Sequence, residues 1–258
     1  MLKLEEIYFN IRGKKILQDI HLQFEPGKIH MILGPNGSGK TSLLKIASGQ
    51  LEATQGTVFY DQKAIHEIDL SELAKYRGYL SQQNNIPFPI KVSELVSMGR
   101  YPHFEFQPSK KDNEIVQEVS EKLAIQHLFQ RDFTTLSGGE QQRVQFARVL
   151  AQIWESKENK IRYLFLDEPL NNLDIQYQKY LLETIKSIVS SNLVVIMIVH
   201  DINWALAYAD EVYFFNEGRL IANGDPIRII NERLIEEVFN VKSKIVQVPD
   251  LSYPVAVY

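Results

Sequence analysis

Apolar side chains recur at nearly alternate positions through the first part of the chain: Leu2, Leu4, Ile7 and Phe9, then Ile16, Ile20, Leu22 and Phe24. That is the period of half-buried strands. Pro26-Gly27 marks a turn, and Lys28 to Leu33 is a short apolar strand running into a glycine-rich segment. From Thr41 the period changes, because Leu43, Leu44, Ile46 and Ala47 follow helical spacing until Gly49 ends it. Gly56 to Tyr60 predicts another strand. Val92 to Met98, Asp112 to Leu123 and Gly138 to Trp154 are helical patterns with Pro- and aromatic-rich connections. They predict a mainly helical subdomain over about 88–154, inserted into an α/β core made of about 1–87 and 155–258. Tyr163 to Leu166 and Leu193 to Val199 are continuous runs rich in branched residues, as suits parallel strands buried on both faces. Helical Ile175 to Val189 between them completes a βαβ unit, expected to cross over right-handed. Val212 to Phe215 and Arg219 to Ala222 predict two further strands joined by Asn216-Glu217-Gly218.

Composition narrows the class. The chain has 258 residues, 45% of them apolar and 23% charged, an ordinary balance for a folded soluble chain that excludes disorder. It has no cysteine, so a disulfide scaffold and Cys-based zinc or iron–sulfur sites are excluded. A net charge of −4 gives no basic field for nucleic acid, and no nucleic-acid partner is expected. No apolar run approaches the roughly 20 residues of a spanning helix, and Met1-Leu-Lys-Leu-Glu-Glu carries acids where a leader would be apolar. A cytoplasmic location is expected, with membrane contact only through a partner.

Gly34-Pro35-Asn36-Gly37-Ser38-Gly39-Lys40-Thr41 fits G-x-x-x-x-G-K-[ST] between a strand and a helix. Its glycines allow backbone N–H groups to turn inward as a phosphate nest, and the helix N-terminus adds its positive end. Lys40 is placed to reach the β- and γ-phosphates, and Thr41 to offer its hydroxyl to Mg²⁺. Asp167 and Glu168 end an apolar strand, where alternation points neighbours in different directions. Asp167 is thus the metal candidate and Glu168 the candidate general base. One strand later, Val195 to Ile198 lead to His200 at a strand's carboxyl end, where open parallel sheets bind ligands. Asp201 is alternatively a cap for a helix over 202–209. Leu136-Ser137-Gly138-Gly139-Glu140-Gln141 places an N-cap serine and two glycines at a second helix start, another anion-ready terminus.

That last segment resembles the signature of the ATP-binding cassette family, and the chain is similar to one nucleotide-binding subunit from near Lys3 to at least Asp225. The resemblance implies a P-loop NTPase (RecA-like) core with an N-terminal antiparallel β subdomain and an inserted helical subdomain. It implies ATP and Mg²⁺ as ligands. Gln82, with Gln83 as a weaker candidate, matches a glutamine that touches metal or water and couples to a membrane subunit. Ser137, Gly138 and Gly139, with Glu140 beside them, match a loop that contacts the γ-phosphate held by a second copy. Asp167 and Glu168 match the metal aspartate and catalytic glutamate, Asp174 closes the D-loop, and His200 matches the switch histidine. A homodimer on a permease dimer follows, with a periplasmic or lipoprotein substrate-binding protein reached through the complex, at the cytoplasmic face of a bacterial membrane.

Three departures stand out. Ile11, beside Arg12, occupies the position where the family usually stacks an aromatic on adenine. Leu170-Asn171-Asn172 replaces the usual threonine, serine and alanine. Trp154 to Arg162 is a longer, charged link. The stretch Tyr79 to His103 is similar to importers of iron chelates, haem and vitamin B12. The Val149-to-Trp154 segment and the ending Val238-Phe-Asn-Val…Val248-Pro-Asp…Tyr253-Pro-Val resemble the haem-import group within them. A ferric siderophore or B12 importer is the alternative substrate reading. A non-transport cassette ATPase acting on nucleic acid or ribosomes is the alternative class. A P-loop kinase or GTPase would need no Leu136–Gln141 segment.

Overall fold

The computed structural model describes residues 1–82, 86–104, 106–155, 160–171 and 173–258. Gln83, Asn172 and residues 156–159 of the charged link lie outside the described residues.

The chain opens with strands β1 (Leu2–Ile11), β2 (Lys14–Phe24) and β3 (Ile29–Leu33), helix α1 (Lys40–Ala47), and strands β4 (Gln55–Tyr60) and β5 (Lys63–Ala64). There follow α2 (Leu70–Leu73), β6 (Arg77–Leu80), α3 (Val92–Ser97), α4 (Lys110–Lys122), α5 (Gly138–Ile153), β7 (Arg162–Asp167) and α6 (Ile175–Ile188). The last part comprises β8 (Leu193–Ile198), α7 (Ile202–Tyr208), β9 (Glu211–Asn216), β10 (Arg219–Gly224), α8 (Pro226–Ile229), α9 (Glu232–Phe239), β11 (Lys244–Val246) and β12 (Val255–Val257). Two compact units result, one of Met1–Glu67 with Val189–Tyr258 and one of Ile68–Ile188. The hydrophobic pattern placed its helical segment at about 88–154. The second unit also takes in β6 and β7, which pair with each other in parallel, and β6 packs on α5.

In the first unit β2, β1, β4 and β5 form an antiparallel sheet in that order. The imperfect alternation of β1 and β2 has a local cause. Glu6 and Asp19 both adopt left-handed backbone (φ 52° and 54°), and the register slips between Leu4/Ile7 and between Ile7/Phe9. Each bulge adds a residue to one strand. The apolar phase therefore jumps, and Leu2, Leu4, Ile7, Leu17, Ile20 and Phe24 all remain buried. A second layer of this unit sets β3 between β8 and β9, parallel to both, with β10 antiparallel outside β9. β3 and β8 are buried throughout, as expected for inner parallel strands.

In the second unit α3 and α4 pack on α5. The helix read as starting at Asp112 begins at Lys110, because Ser109 and Asp112 form a capping box. The Val92 helix gives way after Ser97 to a 3₁₀ turn over Met98–His103 that contains Pro102. Among the described residues, no helix is long and apolar enough to cross a membrane.

Candidate nucleotide site

In the first unit the phosphate loop is the link from β3 to α1. Gly34 has φ 151°, and a Cβ there would lie 2.1 Å from the Phe215 carbonyl oxygen of β9. Gly39 has φ 99° and lies against Ile16 and Leu17 of β2. Ser38 O accepts the Gly218 N–H at 3.1 Å, so the β9–β10 turn braces the loop as well. No side chain caps α1, which leaves its first N–H groups to other acceptors. Ser38 Oγ is buried without a hydrogen-bond partner. Lys40 is buried, and its Nζ donates to the carbonyls of Gly34 (2.8 Å) and Pro35 (2.9 Å). Asn36 and Gly37 are exposed, and Thr41, in the first turn of α1, is half-buried. A nest of N–H groups, an orphan hydroxyl and an ammonium that loop carbonyls hold in place fit a phosphate chain.

His200 follows β8, whose Ile198 pairs with Ile32 of β3. The Val199 N–H donates to Ile32 O at 3.1 Å, which sets exposed His200 beside the phosphate loop. Asp201 is the cap of α7, accepting the Asn203 N–H at 2.8 Å. Ile11 is 47% exposed at the β1–β2 hairpin, while Phe9 is buried.

In the second unit β6 and β7 run in register, Leu80 beside Leu166, so Gln82 and the acidic pair leave the sheet side by side. Asp167 is buried, and Tyr79 Oη donates to its Oδ2 at 3.2 Å. Burial and the Asp167 charge push the Tyr79 phenol up, so it remains a donor. Glu168 turns away from Asp167 because its backbone is left-handed (φ 53°), not through strand alternation alone. Its Oε2 accepts from Gln82 Nε2 at 2.6 Å and from Asn171 Nδ2 at 2.5 Å. Asn171 was legible in the sequence only as a departure from the family pattern.

Ser137 is the N-cap of α5 in a capping box. Its Oγ accepts the Glu140 N–H, while Glu140 takes the Ser137 N–H at 2.8 Å. Those Ser137 hydrogen bonds, with Arg131 and Arg143 nearby, hold the Glu140 carboxyl below its usual value against some burial. Glu140 thus closes the cap, and Ser137 and Gly138 are exposed. Asp174 caps α6 through the Tyr177 N–H at 2.9 Å. Among the described residues, no group of three or more His, Asp or Glu could hold a metal by itself. Thr41, Gln82 and Asp167 are hard oxygen donors of the kind Mg²⁺ takes alongside phosphate and water.

A strand–phosphate loop–helix, a histidine-tipped parallel strand, an acidic strand end and a serine-capped glycine pair define an ATP-binding cassette. The ABC transporter family profile matches residues 17–171, and the chain belongs to that family. It is an ATP-hydrolysing subunit of a transport system with the ABC ATPase fold. The chain is 36% identical over 257 residues to the hemin import ATP-binding protein HmuV of Gloeobacter violaceus, covering 100% of this chain and 94% of that protein. It is 35% identical over 258 residues to the protein of the same name from Escherichia coli O157:H7, covering 100% and 99%. A solved ABC transporter classed as of the metal-chelate type, in an inward-facing conformation, superposes with a TM-score of 0.81 at 25% identity over 99% of this chain and 96% of that one.

Proposed function

We propose that this chain drives haem (hemin) import across a bacterial cytoplasmic membrane, as a peripheral subunit on its inner face. The observation that carries this reading is the end-to-end similarity to hemin import ATP-binding proteins at 35–36% identity. The metal-chelate class of the solved relative favours one second reading, a ferric siderophore importer. Two copies bind two ATP, each site combining one copy's phosphate loop with Ser137, Gly138 and Gly139 of the other, and closure moves a permease dimer served by a substrate-binding protein.

Residues Gly34 to Thr41 wrap the phosphates, with Lys40 exchanging its loop carbonyls for β- and γ-oxygens. Thr41, Gln82 and Asp167 would hold Mg²⁺, which when bound neutralises phosphate charge. Glu168 takes a proton from water as the water oxygen bonds to the γ-phosphorus, and the bond to the ADP oxygen breaks. His200 and Lys40 offset the charge that develops on the γ-oxygens. Asp174 keeps the D-loop in place at the dimer contact.

The test is growth of a deletion strain on haem, and separately on ferric siderophores, as sole iron source. Failure on haem alone, restored by the wild-type chain and not by Glu168→Gln, is the expected result. Normal growth on haem with failure on a siderophore would replace the substrate and leave the ATPase standing.

A further inference from the structure

His200 hangs between two anchored points of the first unit. Behind it, the Val199 N–H donates to Ile32 O of β3 at 3.1 Å. Ahead of it, Asp201 caps α7 by accepting the Asn203 N–H at 2.8 Å. α7 has only seven residues, too few to hold a helix in water without packing. Ile202, Ala205 and Leu206 are buried, and the helix packs on β3 and β12.

The hold on β12 is specific. Asn203 Nδ2 donates to Ala256 O at 3.1 Å, and its Oδ1 accepts the Ala256 N–H at 2.8 Å. A strand residue sends its N–H and C=O to the same side. Ala256 lies opposite Ile245 in the β11–β12 ladder, so Asn203 takes the edge of β12 that faces away from β11. On the other edge of the pair, the Ile245 N–H donates to Glu232 Oε1 of α9 at 3.2 Å. α9 is seated on β9, with Phe239 edge-on to Phe214 at 6.2 Å. A two-stranded sheet is marginal by itself; this one is a tie between α9 and α7. Beyond it, partial burial and the Asp201 charge push the Tyr258 phenol up, against a hydrogen bond with the Ile202 backbone.

We propose that Asn203 is a positioning residue for ATP hydrolysis: by pairing with the Ala256 backbone it fixes the start of α7 on β12, and with it the direction in which His200 faces the phosphate loop. This rests on the reading of His200 as a γ-phosphate contact. In the step served, a water O–H bond breaks toward Glu168, the water oxygen bonds to the γ-phosphorus, and the phosphorus–oxygen bond to ADP breaks. Charge grows on the γ-oxygens, and His200 offsets it only while its ring is aimed at them. The β11–β12 pair thereby belongs to the hydrolytic apparatus.

The test is phosphate release by the full chain with MgATP, read as turnover and, for slow variants, as single turnovers with enzyme in excess. Wild type is compared with Asn203→Leu, Ala256→Pro, His200→Ala and the Asn203→Leu/His200→Ala pair. Leucine keeps the branching of asparagine and makes neither hydrogen bond. Proline at 256 removes the same contact from the other side, through an N–H that the β11–β12 ladder does not use. It carries the test, judged by the same criteria, if the leucine variant does not fold. The lost hydrogen bonds predict a fall in kcat of roughly tenfold in Asn203→Leu and roughly threefold in Ala256→Pro. KM for ATP should stay within about twofold, because the contact His200 makes grows with the transition-state charge. In the His200→Ala background Asn203→Leu should change the rate by less than about twofold, since nothing is left to position. Without nucleotide, amide exchange over 200–208 should rise about tenfold in Asn203→Leu while that of β3 stays as in wild type. A kcat near wild type in Asn203→Leu would overturn the proposal. So would a loss that appears only in KM, one that carries over in full to the His200→Ala background, or unchanged exchange over 200–208. Wild-type turnover by His200→Ala would instead remove the reading of His200 itself. A slowed His200→Ala beside a fully active Asn203→Leu would remove only the role of Asn203.

Discussion

Replacing Arg100 by methionine should unfold this protein far more easily than its place away from the candidate site suggests. Arg100 lies in the 3₁₀ turn Met98–His103, with Nε donating to Asp112 Oδ1 at 2.9 Å and Nη1 to Ala151 O at 2.7 Å. The two side chains are only 5% and 7% exposed. Asp112 Oδ2 accepts the Ser109 N–H at 2.9 Å and the Ser109 hydroxyl at 2.6 Å. Burial pushes the Asp112 carboxyl up, but the Ser109 hydrogen bonds and the Arg100 charge outweigh it and hold it below the ordinary value. Its contribution is therefore complete above the unfolded carboxylate pKa and is lost as pH falls through the lower folded value.

Methionine keeps the length of the side chain but leaves a buried carboxylate without its cation, at a cost of about 3–5 kcal/mol. The unpaired Ala151 carbonyl adds about 1 kcal/mol. The sum, about 4–6 kcal/mol, is a large part of the ~5–15 kcal/mol typical of a whole domain. Adding Asp112→Asn removes the stranded charge and keeps an acceptor for Ser109. The double variant should therefore be about 2–3 kcal/mol more stable than Arg100→Met alone. Urea unfolding at pH 7 reads both differences from the midpoints at constant slope. An Arg100→Met variant within 1 kcal/mol of wild type, or a double variant no more stable than the single, would refute the reasoning.

Two glycines of the phosphate loop should behave differently. At Gly37 a Cβ meets nothing within 4 Å and only the positive φ of 81° is penalised, so Gly37→Ala should cost about 1 kcal/mol. At Gly39 the same Cβ lies 2.8 Å from both Ile16 O and Leu17 Cδ2, and Gly39→Ala should cost about 3 kcal/mol or more. Equal melting shifts without nucleotide would contradict the packing argument. His30 is fully buried, with Nε2 at 2.9 Å from Glu25 O, and burial lowers its pKa. A depressed histidine leaves stability intact above the unfolded value of about 6.5 and loses it as pH falls toward the folded one. Urea midpoints should thus drop between pH 7 and 5, and His30→Gln should lessen the drop. His103, lowered by burial in the same way, carries part of the remainder.

Where sequence and structure agree, the residues themselves carry the geometry. Gly34 to Thr41 shows its strand–loop–helix context through composition alone, and the branched run over β8 admits no other burial. The pattern was weaker where geometry depends on left-handed residues. Glu6 and Asp19 each shift the phase of their strand, and nothing in a glutamate or aspartate announces that. Glu168 likewise diverges from Asp167 through its own backbone. The hydrogen bonds of Tyr79 to Asp167 and of Asn171 to Glu168 were out of reach, since they depend on β6 lying beside β7 and on a four-residue turn. The chain beyond residue 225 went unread as structure. Its helices α8 and α9 and the β11–β12 pair are short, and their hold on the unit includes a reciprocal contact of the Asn203 side chain with the Ala256 backbone (3.1 and 2.8 Å).

The bracing of the phosphate loop has a consequence in time. β3 lies between β8 and β9, Phe215 O leaves no room for a Cβ at position 34, and Ser38 is tied to Gly218. A ribosome adding roughly 5–20 residues per second makes Gly218 on the order of ten to forty seconds after Gly34. For that interval the nascent chain carries the whole phosphate motif without the strands that shape it. Capacity to hold nucleotide therefore arrives only once β9 and the turn after it have been made. A chain cut short before β9 would keep an intact motif in its sequence and lack the site.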